Sequence, residues 1–303
     1  MTDLLDPYAR RLIDMLALQG GDAASLSIAE RRAAFAGLMR LGGPGPEIRA
    51  VETGARNPRI RAYWPDGEAT TALVFFHGGG LVAGDLGTHD ALCRALAAAS
   101  RCAIFAVDYR LAPENPFPAA VDDARAALIW TFANADQHGV SRIGIGGDSA
   151  GATLAAVAAA QWNARQTSKL AFQLLLCPIF DFAGQMQSSR LFQSPILDQA
   201  TLDHDAMLYT AGHVPVSDPC VSPLRASEFA HLPPTFLHTA QCDPLRDEGA
   251  AYAEKLRAAS VEVHHTCHAA MPHLFYALGS VIPYARKAVP EIGAELATWL
   301  ARL

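Results

Sequence analysis

Long apolar runs, a basic leader and clustered cysteines are all missing from this chain of 303 residues. No hydrophobic stretch approaches the ~18 residues of a membrane span, so no crossing segment is expected. The opening, MTDLLDPYARRLIDM, brings acids early and has no basic region followed by an apolar one, which argues against a secretory leader. Basic clusters are absent and the net charge is −6, so nothing favours a nucleic-acid partner. The six cysteines (93, 102, 177, 220, 242, 267) form no C-x-x-C pair and suggest no disulfide framework. Cys102 and Cys177 lie in apolar strand-like runs, where a free thiol behaves as a small hydrophobe. Charge is scarce too: 18% of residues are charged and 51% hydrophobic, which favours a large core over disorder. These absences leave a cytoplasmic globular protein as the expectation.

What is present is alternation. Residues 1–40 carry two helix-period stretches, LLDPYARRLIDMLAL and SIAERRAAFAGLM, the second opened by Ser27 and Glu30 at capping-box spacing. LGGPGPE breaks that pattern, and short β-rich runs follow near 47–53 and 58–64. The apolar strands TALVFF, CAIFAV, RIGIGG, LAFQLLLCPIF, PTFLHTA and VEVHHT then alternate with helical stretches, and a long helix ends the chain. Such a pattern predicts an α/β fold, a mostly parallel sheet with helices on both faces. The stretch 182–225 interrupts it with one helix, LDQATLDHDAMLYTAG, inside irregular sequence. An insertion there is expected above the strand C-termini, where it and residues 1–45 would form a helical cap over a catalytic domain of residues 46–181 and 226–303.

Residues 144–157, GIGGDSAGATLAAV, place Ser149 where a strand meets a helix. Ser149 would serve as a plain N-cap. Gly147-Asp148-Ser149-Ala150-Gly151 is also G-x-S-x-G, the turn that presents a nucleophilic serine. Side chains two residues either side would collide with the neighbouring strand and helix, which explains both glycines. His77-Gly78-Gly79-Gly80 follows TALVFF directly. Glycines there let backbone N–H groups approach a developing oxyanion, each donor being worth about 2.7–4 kcal/mol.

At these two motifs the chain resembles the hormone-sensitive-lipase family of α/β-hydrolases, the bacterial HGGG/GDSAG carboxylesterases. HGGGLVAGDLGTHD, DYRLAPENPFPAAVDD, GDSAGATLA, SPLRA, LPPTFLHTAQCDPLRDEG and MPHLF match family segments in family order, over roughly residues 45–300. The resemblance implies the α/β-hydrolase fold and a cap.

A serine hydroxyl needs a base, and the base an orienting acid, in the chain order Ser, acid, His. Asp243 follows the strand PTFLHTA, and by resemblance it is the acid; Asp247 and Glu248 begin the next helix, where acids suit the dipole alone. His273 in MPHLF matches the position of the base. There the chain departs from the family pattern, with Leu274 and Ala270 standing where glycine is common. Tyr109, Arg110 and Glu114 are expected to brace loops, Asp148 to serve the turn and His77 to anchor the glycine loop.

VEVHHTCH gathers His264, His265, Cys267 and His268 and suggests a metal. Along a strand, His264 and His268 would lie about 13 Å apart, so only His265 and Cys267 share a near position, too few for zinc. An edge strand made polar against nonspecific pairing accounts for them, and a homodimer contact through this last strand stays open.

The resemblance thus implies a serine carboxylesterase for short- to medium-chain esters, with Ser149, His273 and Asp243 as triad. Gly78, Gly79, Gly80 and Ala150 would form the oxyanion hole, with no metal or organic cofactor. The alternatives are an amidase, lactonase or carbon–oxygen lyase on the same machinery, and a non-catalytic receptor for a small ligand.

Overall fold

A computed structural model describes residues 4–19 and 25–303; residues 1–3 of the chain's opening and 20–24 of its N-terminal segment lie outside the described residues. Among the described residues eight strands form one sheet: β1 (Arg49–Arg56), β2 (Arg59–Trp64), β3 (Thr71–Phe76), β4 (Ala103–Asp108), β5 (Arg142–Asp148), β6 (Gln173–Leu176), β7 (Thr235–Cys242) and β8 (Val263–Pro272). Their order is β1-β2-β4-β3-β5-β6-β7-β8. β2 runs antiparallel to both its neighbours, and β4, β3 and β5 through β8 are parallel.

Residue parity sorts the core. Ala72, Val74 and Phe76 of β3 join Ala103, Phe105 and Val107 of β4 on one face, while Leu73, Phe75, Ile104 and Ala106 face the other way. Helices α4 (Ala119–Asn134), α5 (Ala150–Arg165) and α8 (Arg246–Ala258) cover the first face; α3 (Asp90–Ser100) and α9 (Ala285–Leu300) cover the second. Both faces of the central strands are therefore dry, which is why their sequences read as unbroken apolar runs. Each fully buried Leu, Val or Phe contributes roughly 1.5–3 kcal/mol. On β5 the glycines give neighbours room: a Cβ at Gly144 would lie 2.3 Å from the Phe172 ring.

Helices α1 (Pro7–Gln19) and α2 (Ile28–Met39) precede the sheet. The capping box of α2 forms: Glu30 N–H donates to Ser27 Oγ (3.3 Å) and Ser27 N–H to Glu30 Oε2 (3.0 Å). The long strand expected from LAFQLLLCPIF is only four residues, because Cys177 adopts φ 44° and turns the chain out of the sheet. Between β6 and β7 lie the short α6 (Gln187–Leu191) and α7 (Gln199–Thr210). Two acids of α8 hold this segment. Glu248 accepts from Phe180 N–H and Asp181 N–H (2.8 and 3.0 Å), and Asp247 accepts from Ser188 N–H (2.8 Å).

β8 is one edge of the sheet. Its histidines diverge to separate partners rather than converging. His264 pairs with Glu262, His265 with Thr239 Oγ1, and His268 with His238 and Tyr284. His268 is buried, so edge polarity alone does not explain it. Among the described residues no helix is long and apolar enough to cross a membrane.

Candidate active site

β3, β5, β7 and β8 are parallel, so their carboxyl ends meet at one rim, where α/β sheets place their sites. His77 to Gly80 follow β3, Ser149 follows β5, Asp243 follows β7 and His273 follows β8. Ser149 stands at the N-cap of α5, yet its hydroxyl caps nothing. It reaches His273 Nε2 at 3.0 Å, and His273 Nδ1 lies 2.8 Å from Asp243 Oδ2. A carboxylate only accepts, so Nδ1 carries the proton, leaving Nε2 to accept from Ser149. The other oxygen of Asp243 accepts from Leu245 N–H (2.9 Å), which fixes the carboxylate's rotation. All three side chains are buried.

Ser149 holds φ 51° and ψ −124°, a strained combination for a residue with a side chain. The flanking glycines make this turn sterically feasible. A Cβ at Gly147 would sit 2.5 Å from Gly151 backbone and from Phe76 O; one at Gly151 would sit 2.1 Å from Phe76 O.

Gly79 (φ 115°) and Gly80 (φ 69°) carry the neighbouring turn through conformations that favour glycine. Ala150 opens α5, where an N–H has no intrahelical acceptor. Gly78 differs from the expectation for a donor: its N–H is already given to Asp148 Oδ1 at 2.9 Å. Asp148 is thus a brace rather than a turn residue alone, since Tyr276 Oη also donates to it (3.3 Å). His77 bonds Gly78 O through Nδ1 (2.8 Å) and receives Tyr109 Oη on its own carbonyl (2.6 Å). Arg110 clamps Asp123 (2.8 Å), and Glu114 meets Arg32 of α2 (2.6 Å). Asp247 turns to Ser188 and Arg246, away from the imidazole.

A small cavity of about 70 Å³ opens on Ser149, His273, Gly79 and Gly80. α2 contributes Arg31 and Phe35 to its wall, and the segment after β6 contributes Leu197 and Asp205. Leu274, at φ 62°, lines it as well. The Cys177 thiol gathers with Asp243 and His273 within 4.8 Å, a donor set that invites a metal. Burial, reinforced by Asp243, pushes that thiol well above its ordinary range, so it is no ready thiolate ligand.

The alpha/beta hydrolase fold family matches residues 73–277 of the chain. It belongs to the hormone-sensitive-lipase-like α/β hydrolases. Carboxylesterase NlhH of Mycobacterium tuberculosis is 36% identical over 301 residues, covering 94% of this chain and 92% of the relative. Ethyl acetate hydrolase of Pseudomonas putida is 36% identical over 234 residues, 75% of this chain and 74% of its own. Among solved structures, a serine-to-alanine mutant of LAE6, an α/β hydrolase enzyme from the metagenome of Lake Arreo, superposes with a TM-score of 0.93. It is 34% identical and 99% of each chain is covered. Arg31 and Asp205 gave no sequence signal of a role, because each acts through a partner far away in the chain. The turn role expected of Asp148 says nothing of its bond to Gly78, 70 residues away.

Proposed function

We propose that this α/β hydrolase is a serine carboxylesterase acting on short- to medium-chain esters. The observation that carries the reading is the unbroken chain from Ser149 Oγ through His273 to Asp243, at 3.0 and 2.8 Å. His273 Nε2 takes the hydroxyl proton as Ser149 Oγ attacks the ester carbonyl, and Asp243 stabilises the imidazolium. The tetrahedral oxyanion sits against the N–H groups of Gly79, Gly80 and Ala150. Collapse breaks the bond to the alkoxy oxygen, which leaves as alcohol with the proton from His273. Water, deprotonated by the same imidazole, then hydrolyses the acyl-enzyme and returns Ser149.

In this reading, the described part of residues 1–45 and residues 182–225 form a cap over the catalytic domain of residues 46–181 and 226–303. The small, mostly apolar cavity beneath them favours short acyl chains. A cytoplasmic location and a homodimer through the open edge of β8 belong to the same proposal, and fractionation and sedimentation check them.

The test is hydrolysis of p-nitrophenyl acetate, butyrate, octanoate and palmitate by the wild type and Ser149→Ala. We expect activity on the shorter esters and a loss of about 10⁴-fold or more in the variant. A folded wild type that turns over none of them overturns the reading.

A further inference from the structure

Two consecutive arginines of α2 reach the turn at Gly79 and Gly80 by separate routes, Arg32 directly and Arg31 through an acid. Arg32 Nε donates to Val82 O (2.9 Å) and its Nη2 to Ala112 O (3.1 Å), while its guanidinium also meets Glu114. Val82 N–H in turn donates to Gly79 O (3.1 Å). Arg31 reaches it through Asp205 of α7. Its Nη2 is 2.5 Å from Asp205 Oδ2, and Nη1 closes a second contact with Oδ1. The Asp205 carboxylate rests on Gly80: a Cβ there would fall 1.9 Å from Oδ2. Arg31 and Asp205 are 8% and 2% exposed, and both line the cavity that holds Ser149 and His273.

A buried ion pair is a poor stabiliser, because desolvating two charges offsets most of their attraction; its best-attested use is to fix register. What this pair registers is α2 and α7 against Gly80. We propose that Arg31 and Asp205 are positioning residues for the oxyanion turn, so that the cap helices complete the catalytic machinery rather than merely covering it. This rests on the esterase reading above.

The placement has an electrostatic side. A carboxylate against Gly80 opposes the negative charge that develops on the substrate oxygen, and Arg31 neutralises it. Burial pushes Asp205 up to about 7 even against the guanidinium, and among the described residues Arg31 is the charged group that acts on it. On α7 itself, Asp203 is engaged by Gln199, and His204 has a buried Nδ1 without a hydrogen-bond partner. Across the cavity stand Ser149 and His273, and the Gly80 turn presents backbone only.

The experiment compares the wild type with Arg31→Met, Arg31→Lys, Asp205→Asn and the double variant Arg31→Met/Asp205→Asn. Steady-state kinetics on p-nitrophenyl acetate run from pH 7 to 9, and affinity is measured for butaneboronic acid, which forms a tetrahedral adduct on a reactive serine. We expect Arg31→Met to lower kcat about ten- to a hundredfold with KM nearly unchanged, since a misaimed donor costs less than the loss of one. The deficit should deepen as pH rises and the unpaired carboxyl ionises. Asp205→Asn in the Arg31→Met background should remove that pH dependence, and boronate affinity should fall in parallel with kcat. The proposal is overturned if the loss appears in KM alone, or if it is equal at every pH with boronate affinity intact. Should Arg31→Met fail to fold, Arg31→Lys tests the geometric half: it keeps the charge and loses the fork, so kcat and boronate affinity should fall together with no added pH dependence, and an unchanged kcat overturns the proposal. A wild type that binds boronate yet leaves the ester untouched counts against the esterase reading, while boronate affinity still measures the pair.

Discussion

Among the non-glycine residues held at positive φ, two flank His273 in the chain. Ala270 has φ 61° and Leu274 φ 62°. The first sits at the register shift where β8 slips against β7, held by Gln241 Oε1 on its N–H (2.8 Å) and Asp6 N–H on its carbonyl (2.9 Å). The left-handed conformation costs an L-residue about 1–2 kcal/mol, and glycine's extra entropy takes back about 0.5–1. Ala270→Gly is therefore expected to stabilise the fold by about 0.5–1 kcal/mol, read as a rise in the urea midpoint. Leu274 is different, because its buried side chain also walls the cavity. Truncating a buried leucine costs about 2–5 kcal/mol, more than the strain relieved. Leu274→Gly should lower stability and shift the ester preference towards longer acyl chains, which the p-nitrophenyl series measures. The sequence showed both departures from the family pattern. Their conformation was not legible, since φ there is imposed by packing against β7 and the cavity.

At the scale of elements, the elbow depends on β5, α5 and the end of β3 meeting at glycine distances. Gly151→Ala would drive a Cβ to 2.1 Å from Phe76 O and 2.4 Å from His77 O. Both are backbone atoms leading into the glycine turn and cannot rotate away. We expect about 1–3 kcal/mol of destabilisation and at least about a hundredfold fall in kcat, because the proposed nucleophile and oxyanion donors shift together. A variant with normal kcat would show the close approach to be dispensable. The G-x-S-x-G spacing and the position of HGGG after a strand made this junction legible, because both are local consequences of one strand-to-helix turn. The fixing of the segment after β6 by Glu248 and Asp247 was not. Their place in the first turn of α8 suited the helix dipole, and only the arrival of Phe180 and Ser188 gives them specific partners.

Across the whole molecule, buried titratable groups pull stability in opposite directions with pH. Burial lowers His77 to about 4, His238 to about 3 and His268 to about 4, and depresses His265 as well. Their contribution is present above the unfolded imidazole value near ~6.5 and is lost as pH falls through the folded values. Burial raises Asp205 to about 7 and Glu248 to about 8. Their contribution is present below the ordinary carboxyl range and is lost as pH rises through those values. More histidines than acids titrate below pH ~6.5, and only the acids above it. Thermal unfolding should therefore show its highest Tm near pH 6.5 (about the free imidazole value) and lower values at pH 5 and 8.5. Glu248→Gln, which keeps an acceptor for Phe180 and Asp181, should flatten the alkaline side. A Tm that climbs from pH 6.5 to 8.5 would contradict the raised carboxyls.

By itself the sequence determined the alternation of apolar strands and helices, the glycines of two tight turns, and the chain order of serine, acid and histidine. Each is local, set by side-chain period, by the steric size of one residue or by its chemistry. Tertiary structure alone decided that Gly78 gives its N–H to Asp148, that His268 is buried, and that Arg31 meets Asp205 over Gly80. Those contacts join positions up to 174 residues apart. Their energies come from burial, and burial exists only once the sheet has brought the elements together.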